Sequence, residues 1–255
     1  MPNAVVTGAS SGIGLELARI FARERYDLVL VARNQPALEH IAAELRTMRG
    51  VRVDIIAADL STPEAPQQIY EQAGRTDILV NNAGFGVYGE FADSPVEDDI
   101  GLLRLNIEAL VVLTRLFLPG MLQTRKGRIM NVASTAAFQP GPLMALYYAS
   151  KAFVLSFSEA IANELEGSGV TVTALCPGPT ATGFQARARM EDSNLLKRMQ
   201  VMDAATVAEA GYRGMIAGKT IVIPGTRNWL VAESVRFAPR KLVTRIARSM
   251  QEREH

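Results

Sequence analysis

The 255-residue chain has very little histidine or cysteine: it contains only His40, the C-terminal His255 and a single cysteine, Cys176. One cysteine excludes a disulfide within the chain, which fits a reducing compartment, and we expect a cytoplasmic location. Because His40 lies in a polar helical stretch, we expect it to be a solvated surface residue. Two histidines make a His-based catalytic triad or a His-ligated zinc site a poor explanation of function, and we expect no metal.

The sequence also lacks a strong net charge, a signal peptide and a long apolar run. The formal net charge is +1, so the overall charge gives no reason to expect a nucleic-acid partner. The start, MPNAVVTG, has no basic segment followed by an apolar stretch, so we expect no signal peptide. The longest apolar run, ALVVLTRLFL, contains Arg115 and is followed by Pro119, and we expect it not to span a membrane.

Short runs rich in Val, Ile and Leu alternate along the chain with longer helical patterns. The apolar runs show little internal alternation, as expected of strands that are covered on both faces. The predicted strands are 4–7, 28–32, 51–57, 77–81, 128–133, 170–175 and 220–223, and the predicted helices are 13–25, 36–48, 63–73, 96–123, 147–166 and 204–217. This alternation predicts an α/β fold with a doubly wound parallel sheet of about seven strands and helices on both faces.

We find no linker, repeat or low-complexity tract, so residues 1–255 are expected to form a single domain. Two stretches do not follow the strand and helix alternation. Residues 180–203 mix apolar and charged side chains and are expected to be a lid over the substrate. Residues 225–255 follow the last strand and form a C-terminal extension.

The first predicted strand is followed directly by TGASSGIG, from Thr7 to Gly14. Gly8, Gly12 and Gly14 allow a tight turn and a close approach of the backbone to a pyrophosphate, and the helix that follows offers free N–H groups and a positive dipole end. The alternative is a tight strand-to-helix turn without a ligand. The position in the first turn of an α/β chain favours a nucleotide.

Three motifs occur in a fixed order: TGxxxGxG at 7–14, NNAG at 81–84 and YxxxK at 147–151. With them, residues 3–225 resemble the classical short-chain dehydrogenase/reductase family. The resemblance implies a Rossmann fold, a nicotinamide cofactor and hydride transfer to or from a carbonyl or alcohol. It also implies that the cofactor contacts Gly8, Ser10, Ser11, Gly12, Ile13, Gly14, Asp59, Leu60, Asn82, Ala83, Gly84, Tyr147, Lys151, Pro177, Gly178 and Thr182.

The end of the second predicted strand indicates which nicotinamide is bound. An acid at this place binds the ribose 2′-hydroxyl of NAD(H), but here the place holds Ala32, followed by Arg33. An arginine can pair with the 2′-phosphate through its planar guanidinium, and no carboxylate stands here to repel that phosphate. We therefore expect NADP(H) rather than NAD(H); the alternative is that Arg33 is only a solvated loop residue.

The segment YYASK places two tyrosines before Lys151: Tyr147 lies four residues before it and Tyr148 three. On a helix, either spacing puts the tyrosine and the lysine on the same face. Reduction of a ketone needs a proton donor at the oxygen, and a tyrosine with a reference pKa of about 10 can serve when a nearby cation lowers that pKa. Helical geometry alone leaves Tyr147 and Tyr148 open.

The family resemblance selects Tyr147, which lies at the family's interval after Ser134, at the end of the fifth predicted strand. It implies that Tyr147 is the general acid/base and that Lys151 lowers its pKa and binds the nicotinamide ribose. Ser134 would polarise the carbonyl, and Asn106 would relay protons through water. Tyr148 is expected to be a packing or interface residue.

The substrate is expected to contact residues 135–146 and 180–203, with Phe85 and Tyr88 as further walls of the cleft. The low charge of the first segment favours a mainly apolar carbonyl compound such as a ketone, an aldehyde or a 3-oxoacyl compound. The second segment holds four basic residues: Arg187, Arg189, Lys197 and Arg198. They could bind an anionic group of the substrate; the alternative is that they lie on a solvated lid.

The C-terminal extension predicts a basic amphipathic helix, with Leu242, Ile246 and Met250 on one face and Val243 and Ala247 beside them. Lys241, Arg245 and Arg248 lie on another face. We favour packing of this helix on the domain or on a partner subunit over peripheral contact with an anionic membrane. The resemblance also implies a homodimer or homotetramer. An alternative to the enzyme is a non-catalytic NADP(H)-binding regulator of the same fold.

Overall fold

A seven-stranded parallel sheet forms the centre of the computed structural model, which describes residues 1–48, 50–184, 188 and 201–252. Its strands are β1 (Asn3–Thr7), β2 (Asp27–Ala32), β3 (Val53–Ala57), β4 (Ile78–Asn81), β5 (Gly127–Val132), β6 (Val170–Leu175) and β9 (Ile221–Val222). They are ordered β3-β2-β1-β4-β5-β6-β9, which confirms the predicted doubly wound sheet. A separate parallel pair joins β7 (Thr180–Ala181) to β8 (Met202–Asp203).

Helices connect the strands in the predicted places. They are α1 (Gly12–Arg23), α2 (Gln35–Arg46), α3 (Ala65–Ala73), α4 (Val96–Leu103), α5 (Ala109–Thr124), α6 (Ala145–Glu164), α7 (Ala204–Ile216), α8 (Thr226–Ser234) and α9 (Arg240–Gln251). The expectation of one continuous α-helix over 96–123 was wrong, because a π-helical segment, Arg104–Glu108, separates α4 from α5. Such widened turns are frequent at functional sites.

The core lies in two layers, one on each face of the sheet. Successive strand residues point to opposite faces, so Val6 belongs to one layer and Val5 to the other. The first layer includes Leu17 of α1 and Met215 of α7, and the second includes Leu113 of α5. Burial on both faces explains why the strands are continuous apolar runs in the sequence.

The helical stretch Val96–Thr124 is, by length and composition, apolar enough to cross a membrane, with a mean hydropathy of 1.6. This differs from the expectation based on the ten-residue apolar run alone, since the helix extends well beyond that run. Leu113, Phe117 and Met121 are nearly fully buried in the core beneath the sheet. This packing is that of a core helix of an α/β domain.

The C-terminal helix packs on the domain, as favoured from the sequence, but its buried face is centred on the residues beside the predicted apolar stripe. Val243, Ala247 and Gln251 are buried, whereas Leu242 and Ile246, expected on the apolar face, are about half exposed. The polar Gln251 occupies the buried face because its side chain and carbonyl are hydrogen-bonded to two tyrosines. Hydropathy alone does not detect such a residue.

Most of the predicted lid lies outside the described residues. This applies to the four basic side chains proposed for an anionic group and to the apolar ones between them: Arg187, Arg189, Lys197, Arg198, Met190, Leu195, Leu196 and Met199. The described ends of the predicted lid are Thr180–Ala181 with 182–184, residue Ala188 and Met202–Asp203.

Candidate functional site

The candidate site lies at the carboxyl edge of the sheet, where the strand order reverses between β1 and β4. Thr7 ends β1, and its hydroxyl donates to the carbonyl of Val80 at 3.1 Å and accepts from the backbone N–H of Asn82 at 2.9 Å and of Ala83 at 3.0 Å. The Asn82 side chain donates in return to the carbonyl of Thr7 at 2.9 Å. These bonds hold the glycine loop and the loop after β4 together.

The glycine loop is shaped by close contacts that leave no room for side chains. Gly8 and Gly12 have φ of 66° and 57°, which favour glycine. A Cβ on Gly14 would lie 2.4 Å from the carbonyl oxygen of Gly8, and one on Gly12 would lie 2.8 Å from Cγ2 of Thr182. Ser11 precedes α1 and makes no side-chain capping hydrogen bond, so the first N–H groups of α1 are available to an anionic ligand.

A cavity of about 620 Å³ runs from the glycine loop to Tyr147. Of the residues predicted for the site, those that line it are Gly8, Ser10, Ser11, Gly12, Ile13, Arg33, Asp59, Leu60, Asn82, Ala83, Gly84, Ser134, Tyr147, Lys151, Pro177, Gly178 and Thr182. Gly14 and Asn106 do not line it. Gly14 lies behind the loop against Asn82, where it serves packing, and Asn106 lies behind Gly84.

Arg33 lies at the end of β2, exposed and lining the cavity. Its Nη1 is 3.8 Å from Oδ2 of Asp59, so the expectation that no carboxylate stands near Arg33 was wrong. The reason is tertiary: β2 and β3 are neighbouring parallel strands, and the residues that follow them meet at one edge. Asp59 Oδ1 accepts two hydrogen bonds from Ser61, and the exposed, long pair with Arg33 is a weak interaction.

Tyr147 and Ser134 meet in the cavity. Ser134 caps the 3₁₀ turn Thr135–Phe138 by accepting from the N–H of Ala136 at 3.1 Å, and its hydroxyl donates to the carbonyl of Pro177 at 3.4 Å. Burial raises the pKa of Tyr147 above its ordinary value, and the nearby Ser134 hydroxyl opposes this effect. Ser134 therefore both caps the turn and acts on Tyr147.

Lys151 lies one helical turn after Tyr147, and its Nζ is 5.8 Å from the centre of the Tyr147 ring. The ammonium donates to the carbonyl of Val132 at 2.8 Å. Burial lowers the pKa of Lys151 to about 8, so the group is still a cation at neutral pH. The expected lowering of the Tyr147 pKa by Lys151 does not appear in this arrangement: burial raises that pKa, and Ser134 is the group that opposes the rise.

Asn106 is held in the π-helical segment between α4 and α5 and is buried. Its Nδ2 donates to the carbonyl of Phe85 at 2.9 Å and to Oγ of Ser150 at 3.1 Å, and its Oδ1 accepts from the N–H of Phe85 at 3.1 Å. A Cβ on Gly84 would lie 3.0 Å from this Oδ1 and 3.5 Å from Nζ of Lys151. Asn106 and Lys151 therefore both border the space that a side chain at residue 84 would fill, and the relay role of Asn106 stays a prediction.

Tyr148 has a different environment from Tyr147. Its hydroxyl accepts a hydrogen bond from Nε2 of Gln251, and its ring packs against Gly141, where a Cβ would lie 2.2 Å away. Tyr88, expected in the cleft wall, instead packs beside Tyr148 and donates to the carbonyl of Gln251 at 2.8 Å. Neither Tyr88 nor Phe85 is among the cavity's lining residues.

The sequence did not predict the contribution of the C-terminal extension to the cavity. Four residues of the extension line the cavity: Val231, Ala232, Val235 and Gln251. These side chains belong to no motif, so only the path of the chain after β9 brings them there. Within the described ranges, no group of three or more His, Cys, Asp or Glu residues is arranged to hold a metal.

Comparison with known proteins adds an independent finding. The model of the short chain dehydrogenase family matches residues 2–193. The very-long-chain 3-oxoacyl-CoA reductase of Anas platyrhynchos is 38% identical over 189 residues, which are 70% of this chain and 60% of that protein. The chain thus spans less than two thirds of this relative.

Solved structures are similar over more of their length. The short-chain dehydrogenase from Sphingobium yanoikuyae in complex with NADPH is 34% identical, with a TM-score of 0.84 over 93% of this chain and 94% of that one. The bulky-bulky ketone specific alcohol dehydrogenase from Comamonas testosteroni is 31% identical, with a TM-score of 0.78 over 93% and 92%. A short chain dehydrogenase/reductase from Burkholderia phymatum in complex with NAD is 25% identical, with a TM-score of 0.82 over 100% and 98%.

The two adjacent tyrosines give a direct test of the site. We expect Tyr147→Phe to lower kcat by about a hundred- to ten-thousandfold, because the proton donor is lost, with NADPH affinity unchanged. Tyr148→Phe is the matched control: it should keep kcat within a few fold and cost about 1 kcal/mol of stability through the lost bond from Gln251. Equal loss of activity in both variants would contradict the assignment.

The buried Lys151 predicts a pH-dependent stability. Its pKa is lowered from 10.5 to about 8 in the folded chain, so the buried charge destabilises the fold fully below about pH 8 and no longer above about pH 10.5. We expect Lys151→Met to raise the free energy of unfolding at neutral pH by about 1–3 kcal/mol. The advantage over wild type should shrink as the pH rises through this window.

Urea unfolding of both proteins, without added nucleotide, measures this difference. Groups common to the two proteins cancel in the comparison, so the pH dependence of the difference belongs to Lys151. A difference that stays constant from neutral to alkaline pH would contradict the buried charge.

Proposed function

Because the chain belongs to the short-chain dehydrogenase family, we propose that it is an oxidoreductase that transfers hydride between a nicotinamide cofactor and a carbonyl or alcohol. The observation that carries this proposal is one continuous cavity, with the glycine loop at one end and Ser134, Tyr147 and Lys151 at the other. The first end suits a pyrophosphate, and the second suits proton transfer at an oxygen.

The residues present fit a dinucleotide. Gly8, Gly12 and Gly84 line the cavity, and a side chain at any of them would meet neighbouring protein atoms within about 3 Å, so only glycine fits at these positions. The uncapped amino end of α1 offers N–H donors and a positive dipole end to a pyrophosphate. A bound nicotinamide would supply or accept the hydride.

The chain's own residues manage the substrate oxygen. During reduction, Tyr147 gives its phenolic proton to the carbonyl oxygen as the carbon gains hydride, and Ser134 donates a hydrogen bond to the same oxygen. Lys151, a cation at neutral pH, favours the phenolate left on Tyr147. We propose that Asn106 relays protons through water toward Lys151, and the oxidation direction uses the same groups in reverse.

We propose NADP(H) as the favoured cofactor. Arg33 lines the cavity at the end of β2, exposed and paired only weakly with Asp59, so its guanidinium is available to a 2′-phosphate. The similar structure from Sphingobium yanoikuyae is in complex with NADPH, which supports this choice, and the one from Burkholderia phymatum is in complex with NAD.

We propose a mainly apolar ketone, aldehyde or 3-oxoacyl compound as substrate. The cavity is lined by the apolar Met144 and Phe184, which pack with Tyr147, and by Val231. The names of two similar proteins, a 3-oxoacyl-CoA reductase and a bulky ketone dehydrogenase, support this substrate class. A cytoplasmic homodimer or homotetramer is part of the proposal, and exposed apolar side chains on α4 and α6, such as Val96 and Phe153, support a subunit contact.

Turnover distinguishes the enzyme from a regulator that only binds NADP(H). We expect NADPH oxidation with members of a panel of apolar ketones, aldehydes and 3-oxoacyl thioesters, and none with Tyr147→Phe under the same conditions. The measurement is the loss of NADPH absorbance at each substrate. Tight NADPH binding without turnover of any member would favour the regulator.

The cofactor preference depends on Arg33. We expect Arg33→Ala to weaken NADPH binding by about ten- to hundredfold, as a charge-assisted contact to phosphate is lost, with NADH affinity little changed. Arg52→Ala is the matched control, since Arg52 is also exposed but lies before β3, outside the cavity. Fluorescence titration with both nucleotides measures this, and an unchanged NADPH affinity in Arg33→Ala would contradict the preference.

A further inference from the structure

The C-terminal segment 225–252 has an unusual outward surface. Six large apolar side chains are exposed there. Val231, the least exposed of them, also lines the cavity. We call the other five the C-terminal apolar surface: Trp229, Leu230, Phe237, Leu242 and Ile246. Phe237 is 88% exposed and Ile246 54%. Single exposed apolar residues are common on proteins, but five within eighteen positions of one segment indicate an interaction surface.

Helix α9 is firmly held, so this exposure is not the result of a loose helix. Its buried face ends at Gln251, which is fixed by Tyr88 and Tyr148. Arg248 adds a salt bridge to Glu90 at 2.6 Å. These contacts fix the rotation of α9 about its axis.

The fixed rotation places apolar and basic side chains together on the outer side of α9. At about 100° per residue, Leu242 and Ile246 form a stripe on one edge of the buried face. Arg245 lies about 60° from Leu242 and Lys241 about 100°, both away from the buried face. A stripe of apolar residues beside basic ones is the arrangement of helices that lie in a membrane interface.

The charge of the segment differs in sign from that of the rest of the chain. It holds six basic and two acidic residues, a net charge of +4, whereas the whole chain is +1 and the remainder is therefore −3. Glu233 pairs with Arg236, and Glu252 pairs with Arg248. Among the described residues, the basic side chains of the segment without a salt bridge are Arg227, Arg240, Lys241 and Arg245.

We propose that the C-terminal apolar surface docks on an anionic membrane surface. The apolar side chains enter the boundary between headgroups and acyl chains, and the unpaired basic side chains meet lipid phosphates. Tryptophan is favoured at this depth because its ring is apolar and its N–H is polar. A second copy of the chain fits less well, because a two-fold contact would set this positively charged surface against itself.

The inner side of the same segment lines the cavity through Val231, Ala232 and Val235. Docking would therefore place the wall of the cavity next to the lipid, where an apolar substrate is concentrated. This consequence rests on the proposed function, whereas docking itself does not. Vesicle binding without any turnover would support docking and count against the proposed function alone.

The test uses the full chain with vesicles of phosphatidylcholine, alone or mixed equally with phosphatidylserine. Trp229 is the chain's single tryptophan and lies in the surface, so its emission reports docking without a label. We expect co-sedimentation with the anionic vesicles, a shift of emission to shorter wavelength, and weakening of both by salt. Equal binding to both kinds of vesicle, or to neither, would overturn the proposal.

Variants separate the contributions of charge and apolar contact. Each basic residue near an anionic leaflet contributes about fivefold to partitioning, so Lys241→Gln with Arg245→Gln should weaken binding about 25-fold. Leu242→Gln with Ile246→Gln should weaken it as well, without loss of stability, since both side chains are exposed. The matched control is Lys126→Gln with Lys219→Gln, which removes two positive charges elsewhere. Both lysines are exposed and precede β5 and β9, at the opposite edge of the sheet.

The control should bind as wild type does. An equal loss of binding in the control would show a general effect of net charge and overturn the assignment to this surface. Light scattering gives the mass of each variant in solution. If Leu242→Gln with Ile246→Gln lowers the mass and leaves vesicle binding unchanged, the surface is a contact between copies and the proposal fails.

Discussion

The hydroxyl of Thr7 is the contact on which the site depends. It donates one hydrogen bond and accepts two, which is the full capacity of a hydroxyl. These bonds lie just beyond the last paired residues of β1 and β4 and continue the contact between the two strands. From this point the chain after β1 and the chain after β4 run to opposite faces of the sheet. Without them, nothing in the ladder would hold the glycine loop against the loop after β4, because the last paired residues are Val6 and Val80.

The glycines extend this constraint from one part of the site to the next. Gly14 is small so that the Asn82 amide can reach the carbonyls of Thr7 and Gly8. Gly84 then brings the same loop between Asn106 and Lys151. The glycine loop, the loop after β4 and the reacting end are therefore in direct contact, and a shift in one is transmitted to the others through packed backbone.

Local features of the sequence predicted most of this arrangement. The sheet and its helices follow from apolar runs and their spacing, and the motif residues fall where parallel strands end at one edge. The π-helical turn at 104–108 was not predictable, because RLNIE contains no helix-breaking residue. The pairing of Arg33 with Asp59 and the burial of Gln251 depend on tertiary neighbours, which no periodicity in the sequence represents.

The electrostatics of Tyr147 and Lys151 explain why such a site needs a large core around it. Burial raises the pKa of the tyrosine and lowers that of the lysine, so it disfavours the charged form of both groups. A buried ammonium that is hydrogen-bonded to one carbonyl lowers the free energy of unfolding by a few kcal/mol. That amount is large compared with the total free energy of unfolding of an ordinary domain. The two apolar layers of the sheet offset that cost, and the chain can therefore keep a cation beside a phenol at the edge where its strands end.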